Sequence, residues 1–173
     1  VDVQEVRSGR IVDAVREGVA DLGIVTTAPV PDLRFEPYGH DRLCVVVAQR
    51  HALKVRSVRF ADVLALEFVG LDNSAALTQA MKQAADAAGQ FLRLRIQVQS
   101  FEGVCRLVAA GQGVAVLPEG AVEAFRLPLK LRFIRLTDGW ADRPMHACVK
   151  PGVLEAPTRR RLQFLTGVVP ATT

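Results

Sequence analysis

Cysteine is scarce in this sequence: 173 residues hold three, Cys44, Cys105 and Cys148. They are odd in number, far apart, and set among apolar neighbours. A disulfide framework or a zinc site needs closer spacings. The expectation is three reduced core thiols in a reducing compartment, the cytoplasm. Long hydrophobic runs are missing too. Stretches such as 44–48 are short, whereas a membrane-spanning helix needs about 20 apolar residues. Val1-Asp2-Val3-Gln4-Glu5-Val6 alternates and carries acids where the basic start of a secretory signal would lie, so no such signal is expected there. No fixed repeat period appears, which excludes collagen, coiled-coil and solenoid architectures. A strong charge imbalance is also absent, since 22 basic and 18 acidic residues leave +4. The tightest basic cluster is Arg159-Arg160-Arg161. Three adjacent arginines on a helix point in different directions, which weighs toward a solvated face over a nucleic-acid patch.

Catalytic signatures are equally sparse. His40, His51 and His146 have no partners at metal-ligand spacing. No Gly-x-Ser-x-Gly elbow occurs, and no P-loop. Cys105 falls on the apolar side of a helix, an unfavourable place for a nucleophile. Gly111-x-Gly113 has Val116 where a dinucleotide fingerprint needs glycine, and it precedes a strand instead of following one. The reading is a protein that is not an enzyme and needs neither cofactor nor metal.

What is present is core material: half of the residues are apolar and 23% are charged, the balance of a packed domain and not of a disordered one. Residues 1–6 alternate like a strand. Ser8 stands as an N-cap before a helix over 9–19, with Ile11, Val12, Val15 and Val19 on one face. Gly18 loosens its end, and 21–25 reads as a buried strand. This is β-α-β, which favours parallel pairing. Residues 33–37 and 43–48 read as extended, with Val45, Val46 and Val47 suited to a central strand. A helical turn is expected at 60–64, a strand at 67–71, and a helix over 75–88 behind three candidate caps, Asp72, Asn73 and Ser74. Then come a strand over 93–99, a helix from Ser100, a buried strand over 114–117, a helix over 118–124, strands over 131–136 and 146–150, and a last helix over 157–165. Strand-helix-strand thus occurs twice, and two α/β lobes are the economical reading.

In open parallel sheets, ligands gather beyond the carboxyl ends of strands, at helix N-termini. The candidates are Ser8, Thr26 with Thr27, Asn73 with Ser74, and Ser100-Phe101-Glu102. Three of these positions precede helices, where free N–H groups and the helix dipole favour an anion. Each small polar residue taken alone also fits plain capping.

Val108-Ala109-Ala110-Gly111-Gln112-Gly113-Val114-Ala115-Val116-Leu117-Pro118 resembles the effector-binding domain of LysR-type transcriptional regulators. There a helix ends in Val-x-x-Gly before a glycine, an apolar strand and a proline. Arg16-Glu17-Gly18-Val19-Ala20-Asp21-Leu22-Gly23-Ile24 resembles the family's Asp-Leu-Gly-Ile segment. The stretch from Leu43 to His51-Ala52-Leu53 resembles its His-Pro-Leu strand, with Ala52 for the usual proline in a turn. Phe60-Ala61-Asp62-Val63-Leu64 fits the short turn after it. Each motif is loose alone, but their order along the whole chain is specific.

The resemblance implies an α/β fold of two Rossmann-like lobes with a cleft, similar to type 2 periplasmic binding proteins. Residues 1–47 and 143–173 would form lobe I, and 48–142 lobe II. It implies a small-molecule effector, often a carboxylate, met by Ser8, Thr26, Thr27, Asn73, Ser74, Ser100, Phe101 and Glu102. Glu102 would oppose an anion unless it points away. DNA would be bound only through a helix-turn-helix domain outside this chain. A strand and helix that normally precede the first segment are expected to be absent as well. The family's homodimers, tetramers at full length, point to the helices over 9–19 and 75–88. The Ala-rich face of the second suits a partner helix or packing within the chain. A solute-binding protein of a transporter would share the fold logic.

Overall fold

The computed structural model describes residues 2–4, 6, 8–26, 28–73 and 75–152. The chain divides into two compact units, Val1–Asp41 with Arg143–Thr173 and Arg42–Asp142.

In the first unit, helix α1 (Ser8–Glu17) packs against strand β1 (Gly23–Val25). Val12 and Val15 recur at helical spacing and are buried, while Arg10, Asp13 and Glu17 face water. Gly18, at φ 78°, ends the helix in the left-handed region. Arg16 pairs with Asp13 at 2.6 Å and with Asp32 at 2.5 Å, tying α1 to the loop after β1. β1 runs antiparallel to β8 (Asp142–Val149), with Gly23 opposite Cys148 and Val25 opposite His146. β8 in turn neighbours β2 (Arg34–Ala48). The small core is Val12, Val15, Val25, Leu33 and Cys148, with Ile11, Val30 and Phe35 against it.

Several expectations change here. Residues 2–4 and 6 form no strand, and Val3 is 84% exposed. Alternation alone cannot hold a strand, because its backbone groups need a ladder, and among the described residues none pairs with this segment. β1 therefore has an antiparallel neighbour in β8 and not the expected parallel one. Ser8 is the first residue of α1, not a cap ahead of it. Val19 lies past the helix end and is 80% exposed.

The second unit is built on the far half of β2. The two extended segments expected there are one strand. Val45 stands opposite Val116 of β6 (Ala115–Pro118) and opposite Ile134 of β7 (Leu131–Leu136), antiparallel to both. Paired on both edges and covered on both faces, Leu43 to Val47 are fully buried. This explains their unbroken apolar run. The two-residue strand β3 (Ser57–Val58) lies parallel to β7 at the sheet edge. β4 (Phe68–Leu71) pairs in parallel with β5 (Leu94–Val98), and a parallel bridge from Phe68 to Val114 joins that pair to the segment leading into β6.

Helices α2 (Ala76–Ala87), α3 (Phe101–Ala109) and α4 (Glu119–Arg126) bury Leu77, Met81, Val104, Val108 and Val122. A 3-10 turn at Phe60–Val63 places Phe60 edge-on to Phe68 and Trp140. The helix expected over 157–165, with its three arginines, lies outside the described residues.

Candidate functional site

Parallel pairing makes β4 and β5 finish side by side, with Leu71 opposite Val98. The loops that follow therefore leave from one edge, and each feeds a helix: 72–75 into α2 and 99–100 into α3. Two helix N-termini share that edge. The Thr78 hydroxyl donates to the Leu71 carbonyl at 3.1 Å and fixes the first turn of α2 to the end of β4.

Asn73 lies in the first of these loops. Its Oδ1 accepts from Lys82 Nζ at 2.9 Å and from Gln97 Nε2 at 2.8 Å. Its carbonyl accepts from the Gln79 amide. One side chain thus bridges α2 and β5. The capping role expected of this triplet is not seen for Asn73: the N-cap of α2 is Ala75, which has no side-chain bond to give. Ser74 and Thr27 lie outside the described residues.

Ser100 does cap α3, its Oγ accepting from the Gly103 N–H at 3.1 Å. Phe101 begins the helix and packs half-buried on the core. The Glu102 carboxylate accepts from Arg106 Nε at 2.9 Å, one turn along the helix. Its charge is paired within α3, which eases the conflict with an anion raised by the sequence. Ser8 and Thr26 belong to the first unit, Ser8 opening α1 and Thr26 following β1.

Lys82, Gln79 and Gln97 escaped the reading of the sequence. Gln97 had a signal, as one of the polar positions in an alternating strand. Lys82 had none, since its reach to Asn73 spans nine positions and depends on the loop. Lys82 supplies an ammonium at this edge, and Asn73 holds it in place.

The thiols are unsuited to chemistry. Cys44, Cys105 and Cys148 are free and buried. Burial pushes all three pKa values up, that of Cys105 to about 11. Glu119 near Cys44 and Glu102 near Cys105 push the same way. A thiol-specific chromogenic disulfide should therefore leave the folded protein unlabelled over minutes at neutral pH and label all three cysteines once urea unfolds it. Fast labelling of even one in the native state would contradict this burial.

Residues 1–169 match the family model described as the LysR substrate binding domain. A probable RuBisCO transcriptional regulator of Cyanidioschyzon merolae (strain NIES-3377 / 10D) is 25% identical over 143 residues, covering 78% of this chain and 46% of that protein. The chain thus spans about half the length of this curated relative. The regulatory domain of Synechocystis PCC6803 CcmR in complex with 2-PG superposes with a TM-score of 0.81 at 19% identity, covering 96% of this chain and 81% of that one. The effector binding domain of QuiR in complex with shikimate gives 0.75 at 17% identity, covering 92% and 76%. The two structural likenesses show the fold.

Proposed function

The chain belongs to the family of LysR substrate binding domains, and on that premise we propose that it is the effector-sensing part of a transcription regulator. The observation that carries this reading is the Lys82–Asn73–Gln97 bridge at the edge where α2 and α3 both begin. An ammonium, two helix N-termini and a hydroxyl suit a small carboxylate or phosphate. In this reading Asn73, Ser100 and Phe101 contact the effector, with Ser74 expected beside them. Ser8, Thr26 and Thr27, on the first unit, are retained as further effector contacts of this reading. Glu102 acts through Arg106 and does not face the anion.

Sensing works by population shift: the effector must bind one arrangement of the regulator better than another. The readout is DNA binding by a separate helix-turn-helix domain. No bond-making step is assigned to this chain. Homodimerisation through α1 and α2, and a tetramer at full length, complete the proposal, as does a cytoplasmic setting. Among the described residues no helix is long and apolar enough to cross a membrane.

The test is a thermal-shift panel of small carboxylates and phosphates, shikimate and 2-PG included, followed by titration calorimetry on any stabilising compound. Asn73→Ala should weaken binding by about tenfold, the scale of one charge-assisted hydrogen-bond set lost. Ser8→Ala and Ser100→Ala should weaken it less. A compound that binds all three variants as tightly as the parent would place the site elsewhere.

A further inference from the structure

The sheet edge made by β3 and β7 gathers cations that lie far apart in the sequence. Between Arg42 and Asp62 the chain has no acidic residue, and it carries Arg50, Lys54, Arg56 and Arg59. Lys130, Arg132 and Arg135 lie in or beside β7. Pairing brings the two groups together. Ser57 stands opposite Arg135, the Gln49 N–H donates to the Lys130 carbonyl at 2.9 Å, and the Arg135 N–H donates to the Arg56 carbonyl at 3.1 Å. Arg132 braces the loop from beneath, donating through Nη2 to the carbonyls of His51 at 3.1 Å and Leu53 at 2.6 Å.

Arg50, Lys54, Arg56, Lys130 and Arg135 are exposed. Among the described residues none of the five has an ion-pair partner. Elsewhere in the same unit Arg95, Arg106 and Arg126 each have a carboxylate. Arg59 is answered by Asp62 and, nearby, Asp138, so it does not count toward the patch. The field of the patch is felt by His51, whose pKa lies below the usual histidine value, through burial first and then through Arg132 and Lys54. Protecting an edge strand from aggregation needs a charge or two on the strand itself. Here the cations run on past β3 to Arg50 and Lys130.

We propose that this β3–β7 edge is a contact surface for the sugar-phosphate backbone of nucleic acid. Along β7, Leu131 to Arg135 spans roughly 13 Å at about 3.3 Å per residue, and Lys130 stands in the turn just before it. One nucleic-acid strand offers a charge about every 3.4 Å of axis, so this stretch matches about four phosphates. Three of the five cations are arginines, whose planar fork fits phosphate oxygens in pairs. An acidic protein would be a poorer occupant. Val55 is the one large exposed apolar side chain in the loop, at 45%, and the aromatic of β7, Phe133, is half-buried with Arg126 over its ring. Protein interfaces are centred on exposed aromatic anchors.

The test is fluorescence anisotropy of a labelled duplex of about 30 base pairs and arbitrary sequence, titrated with the whole chain from about 25 to 200 mM salt. The parent should bind at low salt and weaken steeply as salt rises. Arg50→Glu/Arg56→Glu/Arg135→Glu should weaken binding by at least tenfold and lower the log–log salt slope by about 2.7, at 0.9 per lost phosphate contact. The control Arg93→Glu/Arg95→Glu reverses two charges beside and in β5, in the other sheet of the same unit, and should stay within about twofold of the parent. If charge reversal unfolds the chain by circular dichroism, Arg50→Gln/Arg56→Gln/Arg135→Gln supplies the same comparison. Three results would overturn the proposal. They are no binding by the parent at low salt, equal losses in the edge and control variants, and displacement of the duplex by polyglutamate at equal charge concentration. The last would reassign the edge to an acidic protein.

Discussion

Replacing Phe60 by alanine should destabilise the second unit by about 3–5 kcal/mol, the range for a large aromatic lost from a packed core. Phe60 is 1% exposed. It lies edge-on to Phe68 at 5.8 Å and to Trp140 at 5.2 Å between ring centroids. These contacts join the turn at Phe60–Val63, the start of β4 and the short turn before β8. Its backbone N–H also donates to Asp138 at 2.7 Å, so the turn stays in place and the cavity cannot easily collapse. Domains of this size hold about 5–15 kcal/mol in all, so such a loss shifts a urea midpoint by a large fraction. The slope of the transition should stay the same, because the surface exposed on unfolding hardly changes. Phe60→Leu keeps most of the volume and should cost about 1.5 kcal/mol or less. A loss under about 1 kcal/mol for Phe60→Ala would mean that the three rings do not carry this part of the core.

Gly113→Ala should cost about 3 kcal/mol or more, combining backbone strain with overpacking. Gly113 has φ 146°, a conformation side chains rarely adopt, and a Cβ there would lie 2.5 Å from the Glu67 carbonyl oxygen. That oxygen is not free to retreat. It accepts the Val114 N–H at 2.9 Å, and two residues on, the Val69 N–H donates to the Val114 carbonyl at 2.8 Å. These two bonds join β4 to the strand that becomes β6. An added methyl would push apart the junction that holds the α2–α3 edge to the rest of the sheet. Gly111 is the internal control. It has φ 75° but nothing within 4 Å of an added Cβ, so Gly111→Ala should cost only the left-handed penalty of about 1–2 kcal/mol. Thermal melts of both variants decide the matter, and equal losses would show that conformation and not contact governs position 113.

Much of the second unit was legible in the sequence because its elements declare themselves locally. The run of β-branched residues at 45–47 could only be a strand covered on both faces. Ser100 announced the start of α3, and its hydroxyl caps that helix as expected. The first unit was read less well. The alternation at residues 1–6 has no partner among the described residues, and a strand is a property of two segments. Asn73 illustrates the same limit in the candidate site. Its position before a helix suggested a cap, yet a side chain takes whichever donors the fold brings, and here those are Lys82 and Gln97.

Charge was the least legible feature. The sequence drew attention to Arg159-Arg160-Arg161, a cluster by adjacency. The β3–β7 edge is a cluster by pairing, joining residues near 50–56 to residues 130–135.

By itself, then, the sequence determined the α/β class, the family, the buried thiols, and the stretches that become the helices of the second unit. Each of these depends on periodicity, on caps, or on a run of neighbours along the chain. Tertiary structure alone decided which strands lie side by side, and with them which polar groups share an edge and which charges converge. Hydrogen bonds between strands and the Coulomb sum at a surface are set by distance in space, and spacing along the chain does not fix that distance.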